Sequence, residues 1–393
     1  MNKYDFDEIV CRCGTNCLKY DLPEVGDRMA LWIADMDFKT PDFIVDAMRR
    51  RLDHPILGYT FIPPTYFDLI SAWVKNTHGW QVEKDWIKYI PGIVKGIGMV
   101  LCCFCKPGDK VIITPPVYHP FRLVPEKEGL EVVKCPLVPV YDEEGFLKTY
   151  RMDFKALEAV MDSKTKVLIL SNPHNPCGVC WPEDQLRELA RICAEHNVLV
   201  ISDEIHAEMA LNGHRHIPFA SVSKEAAHTS ISFMAPSKTF NIAGVVSSYT
   251  IVPDDGLREK FFKFLDANEF DNPTIMSVVA TEAAYTYGAE WRRQMLDYIQ
   301  GNVDFVDAYL KANIPAVHCV RPDASFLIWL DCRKLGIGQA ELVSLFADKA
   351  GLFLNDGEMF GEQGSGFMRL NIGCPRSVLE SALERLSAAV RGM

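Results

Sequence analysis

The sequence predicts an α/β fold: a mostly parallel, doubly wound sheet with a smaller α+β domain. Three observations carry this expectation. Short runs of β-branched and aliphatic residues recur at 110–114, 130–135, 166–170, 198–202, 229–234 and 246–251, with helical spacing between most of them. Such alternation marks strand–helix–strand units. Beyond Asp254 the pattern changes to long helical stretches, through Tyr285 and up to Lys311. A mixed unit then follows, with strands near 317–320 and 326–331, a helix over 338–350 and a last strand around Phe367 to Asn371.

Taken in order, residues 1–45 read as an irregular segment expected to pack with the smaller domain. A helix from Asp42 to Leu52 carries Ile44, Val45, Ala47 and Met48 on one side. At 393 residues the chain is too long for one core, and a large domain is expected over 46–283 and a small one over 284–393. The clearest unit lies in the middle. Val167–Leu170 runs into Ser171-Asn172-Pro173-His174-Asn175-Pro176-Cys177-Gly178, and Val198–Ile201 runs into Ser202-Asp203-Glu204-Ile205-His206. Between them, Leu186, Leu189, Ala190 and Cys193 recur at helical spacing. Unbroken apolar runs suit parallel strands covered on both faces. Polar residues gather where those strands end, and open α/β sheets bind their ligands there. No repeat or long linker intervenes, so the second domain is expected to pack on the first and close a cleft.

Composition narrows the function. A net charge of −11 disfavours nucleic acid, whose phosphates call for clustered lysine and arginine. Arg49-Arg50-Arg51, a triple basic run, reads as the solvated end of a helix. No apolar stretch approaches the ~18 residues of a membrane span, and the acidic start lacks the apolar core of a signal peptide. A cytoplasmic location is expected, with the thirteen cysteines reduced. Cys177-x2-Cys180 followed by Cys193-x2-His196 falls within zinc-site spacing. Cys193 lies on an apolar helical stripe, however, so structural burial is the reading preferred and no metal is expected. Cys102, Cys103 and Cys105 sit in another apolar stretch and read as core.

Lys238 follows the apolar run Ile231–Ala235, so its amine emerges at a strand end beside Pro236. Alone it would read as a surface lysine; in a confined site a lysine loses its proton readily and forms Schiff bases with carbonyl compounds. Its company decides. Asn172-Pro173-His174-Asn175-Pro176-Cys177-Gly178, Ser202-Asp203-Glu204-Ile205-His206 and Ser237-Lys238-Thr239-Phe240-Asn241 occur in that order.

Together these three segments resemble the pyridoxal-phosphate enzymes of aspartate aminotransferase fold. Trp32-Ile33-Ala34-Asp35-Met36-Asp37-Phe38, His54-Pro55-Ile56-Leu57-Gly58-Tyr59, Asn355-Asp356-Gly357 and Met368-Arg369-Leu370-Asn371-Ile372-Gly373-Cys374-Pro375-Arg376 narrow the resemblance to the MalY/PatB carbon–sulfur lyases. It extends from about residue 30 to the C-terminus.

The resemblance implies a role for each residue, beside the plainer reading of each. Lys238 would hold pyridoxal 5'-phosphate. Asp203, otherwise a helix N-cap, would face the pyridine nitrogen. Asn175, otherwise a turn residue, would donate its amide to the ring 3-hydroxyl. Tyr118, otherwise core, would stack on the ring. His206 stands where aminotransferases carry tyrosine; it would be part of the site or an ordinary buried imidazole. Main-chain N–H groups of Ile93 and Val94 and the Ser237 hydroxyl would hold the phosphate, with Lys95 adding charge or facing water. Val246 occupies the place of a common phosphate-binding arginine, which leaves that set incomplete. Tyr59 would reach the phosphate of a neighbouring subunit, implying a homodimer with shared sites. Arg369, otherwise a surface ion-pair partner, would grip the substrate carboxylate and face Lys238.

The activity expected is cleavage of the Cβ–S bond of L-cystathionine or related cysteine conjugates to a thiol, pyruvate and ammonia. An aminotransferase using the same residues is the alternative, since fold does not fix reaction. A catalytically idle regulatory protein would lack the lysine or carry a basic DNA-binding extension.

Overall fold

The computed structural model describes residues 4–393. Its centre is a seven-stranded sheet: β1 (Ile87–Ile90), β2 (Lys110–Ile113), β3 (Glu131–Lys134), β4 (Thr165–Ser171), β5 (Leu199–Asp203), β6 (Ser230–Met234) and β7 (Ser248–Ile251). The spatial order is β1-β7-β6-β5-β4-β2-β3; β7 pairs antiparallel with both β1 and β6, and the other pairs are parallel. Chain order reverses between β2 and β4, the kind of position at which open sheets bind ligands.

Side chains alternate between two apolar layers, as strands require. Val111, Ile113, Val167, Ile169 and Ile201 pack on one face with Ile97, Leu101 and Phe261 of the helices Ile93–Phe104 and Asp255–Ala267. Ile112, Leu168, Leu170 and Val200 pack on the other with Leu186, Leu189 and Cys193 of the helix Glu183–Glu195. Fully burying one such aliphatic or aromatic side chain contributes about 1.5–3 kcal/mol. Gly96 lets the first helix lie close: a Cβ there would stand 2.6 Å from Ile90 Cδ1.

The register brings the carboxyl ends level. Ser171 of β4 lies opposite Asp203 of β5, and Asp203 lies opposite Phe233 of β6. Lys238 follows in the turn just beyond β6.

A second, antiparallel sheet holds His318–Val320, Leu327–Asp331, Phe367–Asn371 and Asn355–Asp356, in that spatial order. Arg369 therefore sits between Trp329 and Asn355. The helices Ala289–Asn313 and Arg376–Arg391 pack beside it. The N-terminal segment joins the same region, with Met29–Ala30 pairing in parallel with Leu352–Phe353.

Several local expectations are corrected. Elements outside the sequence-based expectation include the edge strand Ile87–Ile90, the hairpin Val138–Tyr141 with Leu147–Arg151, the short strands Met29–Ala30, Leu352–Phe353 and Asn355–Asp356, and the last helix Arg376–Arg391. The expected helix over 338–350 is α-helical only through Gln339–Ser344. It widens to a π-turn over Leu345–Lys349, where Ala350 N–H donates to Leu345 O. Strand β7 starts at Ser248, because Val246 adopts a left-handed backbone that cannot join the ladder.

Cys177, Cys180 and Cys193 are buried, whereas His196 lies at the exposed end of its helix. Among the described residues no three His, Cys, Asp or Glu side chains converge to hold a metal. Nor is any described helix long and apolar enough to cross a membrane.

Candidate active site

A cavity of about 200 Å³ opens at the carboxyl ends of β4, β5 and β6. Its wall includes Lys238, Asp203, Asn175, Tyr118, His206, Ile93, Val94 and Ser237, together with Ala34, Val246 and Ser248. Of the residues singled out in the sequence for the site, Tyr59, Lys95 and Arg369 are absent from this wall.

Each is positioned by its own element. The β4 turn is fixed by Ser171, whose Oγ accepts from Asn175 N–H at 3.0 Å. Tyr118 N–H donates to Asn175 O at 3.1 Å, tying the turn after β2 to the turn after β4. Gly178 closes that turn against Ala324, whose N–H donates to Gly178 O at 2.9 Å. Its φ is +69°, and a Cβ would stand 2.7 Å from Ala324 O, so only glycine fits. The contact brings Ser325 beside His206, with Ser325 Oγ 3.2 Å from Nδ1.

The turn that carries Lys238 is stapled by Asn241. Its Oδ1 accepts from Met36 N–H at 3.0 Å, and its Nδ2 donates to Met36 O and Phe38 O at 2.8 and 2.7 Å. Asn241 has φ +54°, a conformation asparagine tolerates. Lys238 Nζ in turn donates to Ala34 O.

Electrostatics differ sharply among these groups. Burial pushes the Lys238 amine down to about 8; Asp35 and Asp203 oppose that shift, and Arg369 adds to it. Burial pushes the Asp203 carboxyl up to about 7, against the Ile205 N–H bond and the Lys238 charge. Ile205 N–H donates to Asp203 Oδ1 at 3.1 Å, while Oδ2 accepts no hydrogen bond from the described residues. Burial pushes His206 down to about 3, with help from Lys238 and Arg369, so its imidazole is neutral near pH 7.

Arg369 does not line the cavity; it is buried beside it. Nη1 donates to Asn175 Oδ1 at 2.9 Å, and Nη2 donates to Trp32 O and Asn355 Oδ1 at 2.9 and 2.5 Å. Its Nε is buried without a partner among the described residues. Because the guanidinium can only donate, Asn175 must present Oδ1 to it, and Nδ2 is left for the cavity. Tyr59 lies apart. It is fully exposed, on a segment where Ile56, Leu57 and Phe61 are exposed too. Lys95 faces water.

Several contributors escape the sequence reading. Ala34 supplies a carbonyl to Lys238, Asn355 anchors Arg369, and Ser248 places a buried residue on the wall at the start of β7. Ala34 and Asn355 stand within motifs of the sequence, but nothing there assigns them a contact. Behind Ala34, Arg12 pairs with Asp35 and Asp37 at 2.8 and 2.7 Å, and the fully buried Lys19 pairs with Asp37 at 2.9 Å.

These donors and acceptors fit pyridoxal 5'-phosphate. The helix Ile93–Phe104 has no side-chain cap among the described residues, so its first N–H groups are available to an anion. The Ser237 and Ser248 hydroxyls make no hydrogen bond to the described residues, and both line the cavity beside that helix end. Val246, standing in place of an arginine, is held at φ +58° with its carbonyl accepting from Tyr89 Oη at 3.1 Å. A β-branched residue in that conformation is strained by about 1–2 kcal/mol.

The chain belongs to the aminotransferase class I and II family, whose profile matches residues 27–386. It is 41% identical to the cystathionine beta-lyase PatB of Bacillus subtilis (strain 168), over 98% of this chain and all of that one. Among solved structures it resembles a PLP-bound presumptive aminotransferase from Clostridium difficile 630, with TM-score 0.94 and 39% identity over 98% of this chain and 100% of that one. It also resembles cystalysin from Treponema denticola, which contains pyridoxal 5'-phosphate, with TM-score 0.93 and 33% identity over 99% of both chains.

Proposed function

We propose that the chain is a pyridoxal-phosphate-dependent carbon–sulfur β-lyase acting on L-cystathionine or related cysteine S-conjugates. The observation that carries this reading is the shared cavity of Lys238 and Asp203, a buried amine and a buried acid with one oxygen open. The kinship to PatB supports the lyase branch.

When bound, pyridoxal phosphate supplies a carbonyl for an amine and an electron sink conjugated to the substrate α-carbon. The protein's part is binding, orientation and proton transfer. Asp203 offers a carboxylate to a pyridinium nitrogen, and Asn175 Nδ2 offers a donor to the ring oxygen. Tyr118 covers one face, while the N–H groups of Ile93 and Val94 and the hydroxyls of Ser237 and Ser248 hold the phosphate. Lys238 Nζ, poised near pH 8, takes the α-proton and returns one to the departing sulfur. His206 stays neutral and adds no cation. Arg369, buried behind the cavity wall with Nη1 and Nη2 held by Asn175, Trp32 and Asn355, is given the substrate carboxylate on the family resemblance and exchanges one of these bonds to take it.

The overall change balances: the Cβ–S bond breaks, the sulfur leaves as a thiol, and water converts the remaining three-carbon enamine to pyruvate and ammonia. An aminotransferase shares the proton abstraction but needs a keto-acid acceptor. Purified holoenzyme given L-cystathionine should release pyruvate without any acceptor; pyruvate that appears only with an acceptor overturns the lyase reading.

We further assign a large unit over 46–283, a small unit over 284–393 and an N-terminal segment over 1–45 that packs with the small unit; residues 1–3 of that segment lie outside the described residues. The exposed Ile56, Leu57, Tyr59 and Phe61 support a homodimer in which Tyr59 enters the neighbouring site. Thirteen unbridged cysteines support a cytoplasmic location.

A further inference from the structure

A second cavity, of about 150 Å³, lies against the first and shares Tyr118 as a wall. It is framed by His119, Arg122, Glu358, Met359 and Phe360. The two sides are tied together where Val117 N–H donates to Phe360 O at 2.8 Å. Arg369 connects the cavities from behind: it bonds Asn175 on the wall of the first, and its guanidinium carbon lies 4.8 Å from the ring centre of Phe360 in the second.

The lining combines apolar, cationic and acidic groups in one small hollow. Met359 and Phe360 give it an apolar and polarisable side, suited to a sulfur chain. Arg122 gives it a cation that pairs with Glu126 at 2.8 Å, an i,i+4 pair with both side chains 43% exposed. Such pairs are weak and readily exchanged for a ligand carboxylate. Glu358 is an acid whose side chain has no hydrogen bond or ion pair among the described residues. His119 Nδ1 is buried with no partner among them. Burial, with the Arg369 and Arg122 charges, keeps that imidazole neutral, so it can donate or accept a hydrogen bond.

A substrate whose amino-acid end occupies the first cavity has its sulfur substituent still to be housed. We propose that the second cavity houses that leaving group, and that Arg122 and Glu358 select thiols ending in an amino-acid zwitterion over small uncharged ones. This rests on the lyase reading. Arg122 takes the distal carboxylate, Glu358 the distal ammonium, and Met359 and Phe360 the chain between. Arg122 and Glu358 are specificity-determining residues and take no part in bond cleavage.

The test compares kcat/KM of the holoenzyme for L-cystathionine and for S-ethyl-L-cysteine, in the native protein, Arg122→Met and Glu358→Gln. Loss of a charge-assisted contact should lower the cystathionine value about tenfold, while the S-ethyl value stays within about twofold. Retention of the cofactor's visible absorbance shows that each variant is folded and loaded. A ratio of the two values unchanged from native in both variants overturns the subsite while leaving the lyase reading intact. Failure of the native holoenzyme to release pyruvate from either substrate overturns the lyase reading itself.

Discussion

Arg369 and Asn175 are fixed to one another: Nη1 of the guanidinium donates to Asn175 Oδ1 at 2.9 Å, which turns the amide nitrogen toward the cavity. The residue proposed to grip substrate thereby also aims the residue proposed to donate to cofactor. Asn175→Asp separates these duties, since it keeps an acceptor for Arg369 and removes the donor. Thermal stability should stay close to native, while kcat falls about ten- to a hundredfold and the cofactor's visible absorbance shifts. Calorimetry and a spectral pH titration check this; unchanged kcat would refute the donor role.

Lys238→Ala removes the amine that bonds Ala34 O. Turnover and the visible band of lysine-linked cofactor should both vanish, while a far-ultraviolet spectrum like the native one shows the fold intact. Retention of both signals in purified protein would remove Lys238 from the mechanism.

Asp203→Asn tests the buried acid through its pH dependence. Burial raises the folded carboxyl to about 7, against about 4 in an unfolded chain. A folded group with a raised pKa contributes stability at low pH, and that contribution is lost as pH rises from about 4 through 7. His206 has the opposite sign: with its folded pKa pushed down to about 3, it costs stability as pH falls below about 6.5. The variant lacks the Asp203 contribution, while the histidine slope is common to both proteins. Without cofactor, the variant should therefore gain on the native protein across pH 4 to 7, by a few kcal/mol at the upper end. Urea midpoints measure the gap, and a constant gap over that range counts against a buried acid. Cofactor affinity should fall.

Leu57→Asp tests the homodimer. Leu57 is 63% exposed in the single chain, so the change should leave its fold unharmed. Sedimentation should show a dimer for the native protein and a lighter species for the variant, with weaker cofactor retention. A native protein that sediments as a monomer would end the shared-site reading.

Much of the large sheet is legible in the sequence because strands covered on both faces spell themselves out. Val167–Leu170 and Val198–Ile201 are apolar without a break, and they lie at the centre of the sheet. Ile87–Ile90 escapes because it is an edge strand whose half-exposed Lys88 interrupts the run. The reversed direction of β7 is equally hidden, since no side chain encodes strand polarity. At the site, Lys238, Asp203 and Asn175 can be found because each ends or follows a buried strand. Ala34 and Asn355 cannot be found as contacts. One acts through a main-chain carbonyl and the other through a partner in the next strand, Arg369, so neither role is written in local composition.

The carbonyl that meets Lys238 belongs to Ala34, and the guanidinium that aims Asn175 belongs to Arg369. A chain interrupted before its final strand can complete the central sheet yet still lack a finished site. Retention of cofactor colour would then report on the whole polypeptide, from its first ordered turns to its last, and a fragment that folds perfectly well should remain colourless.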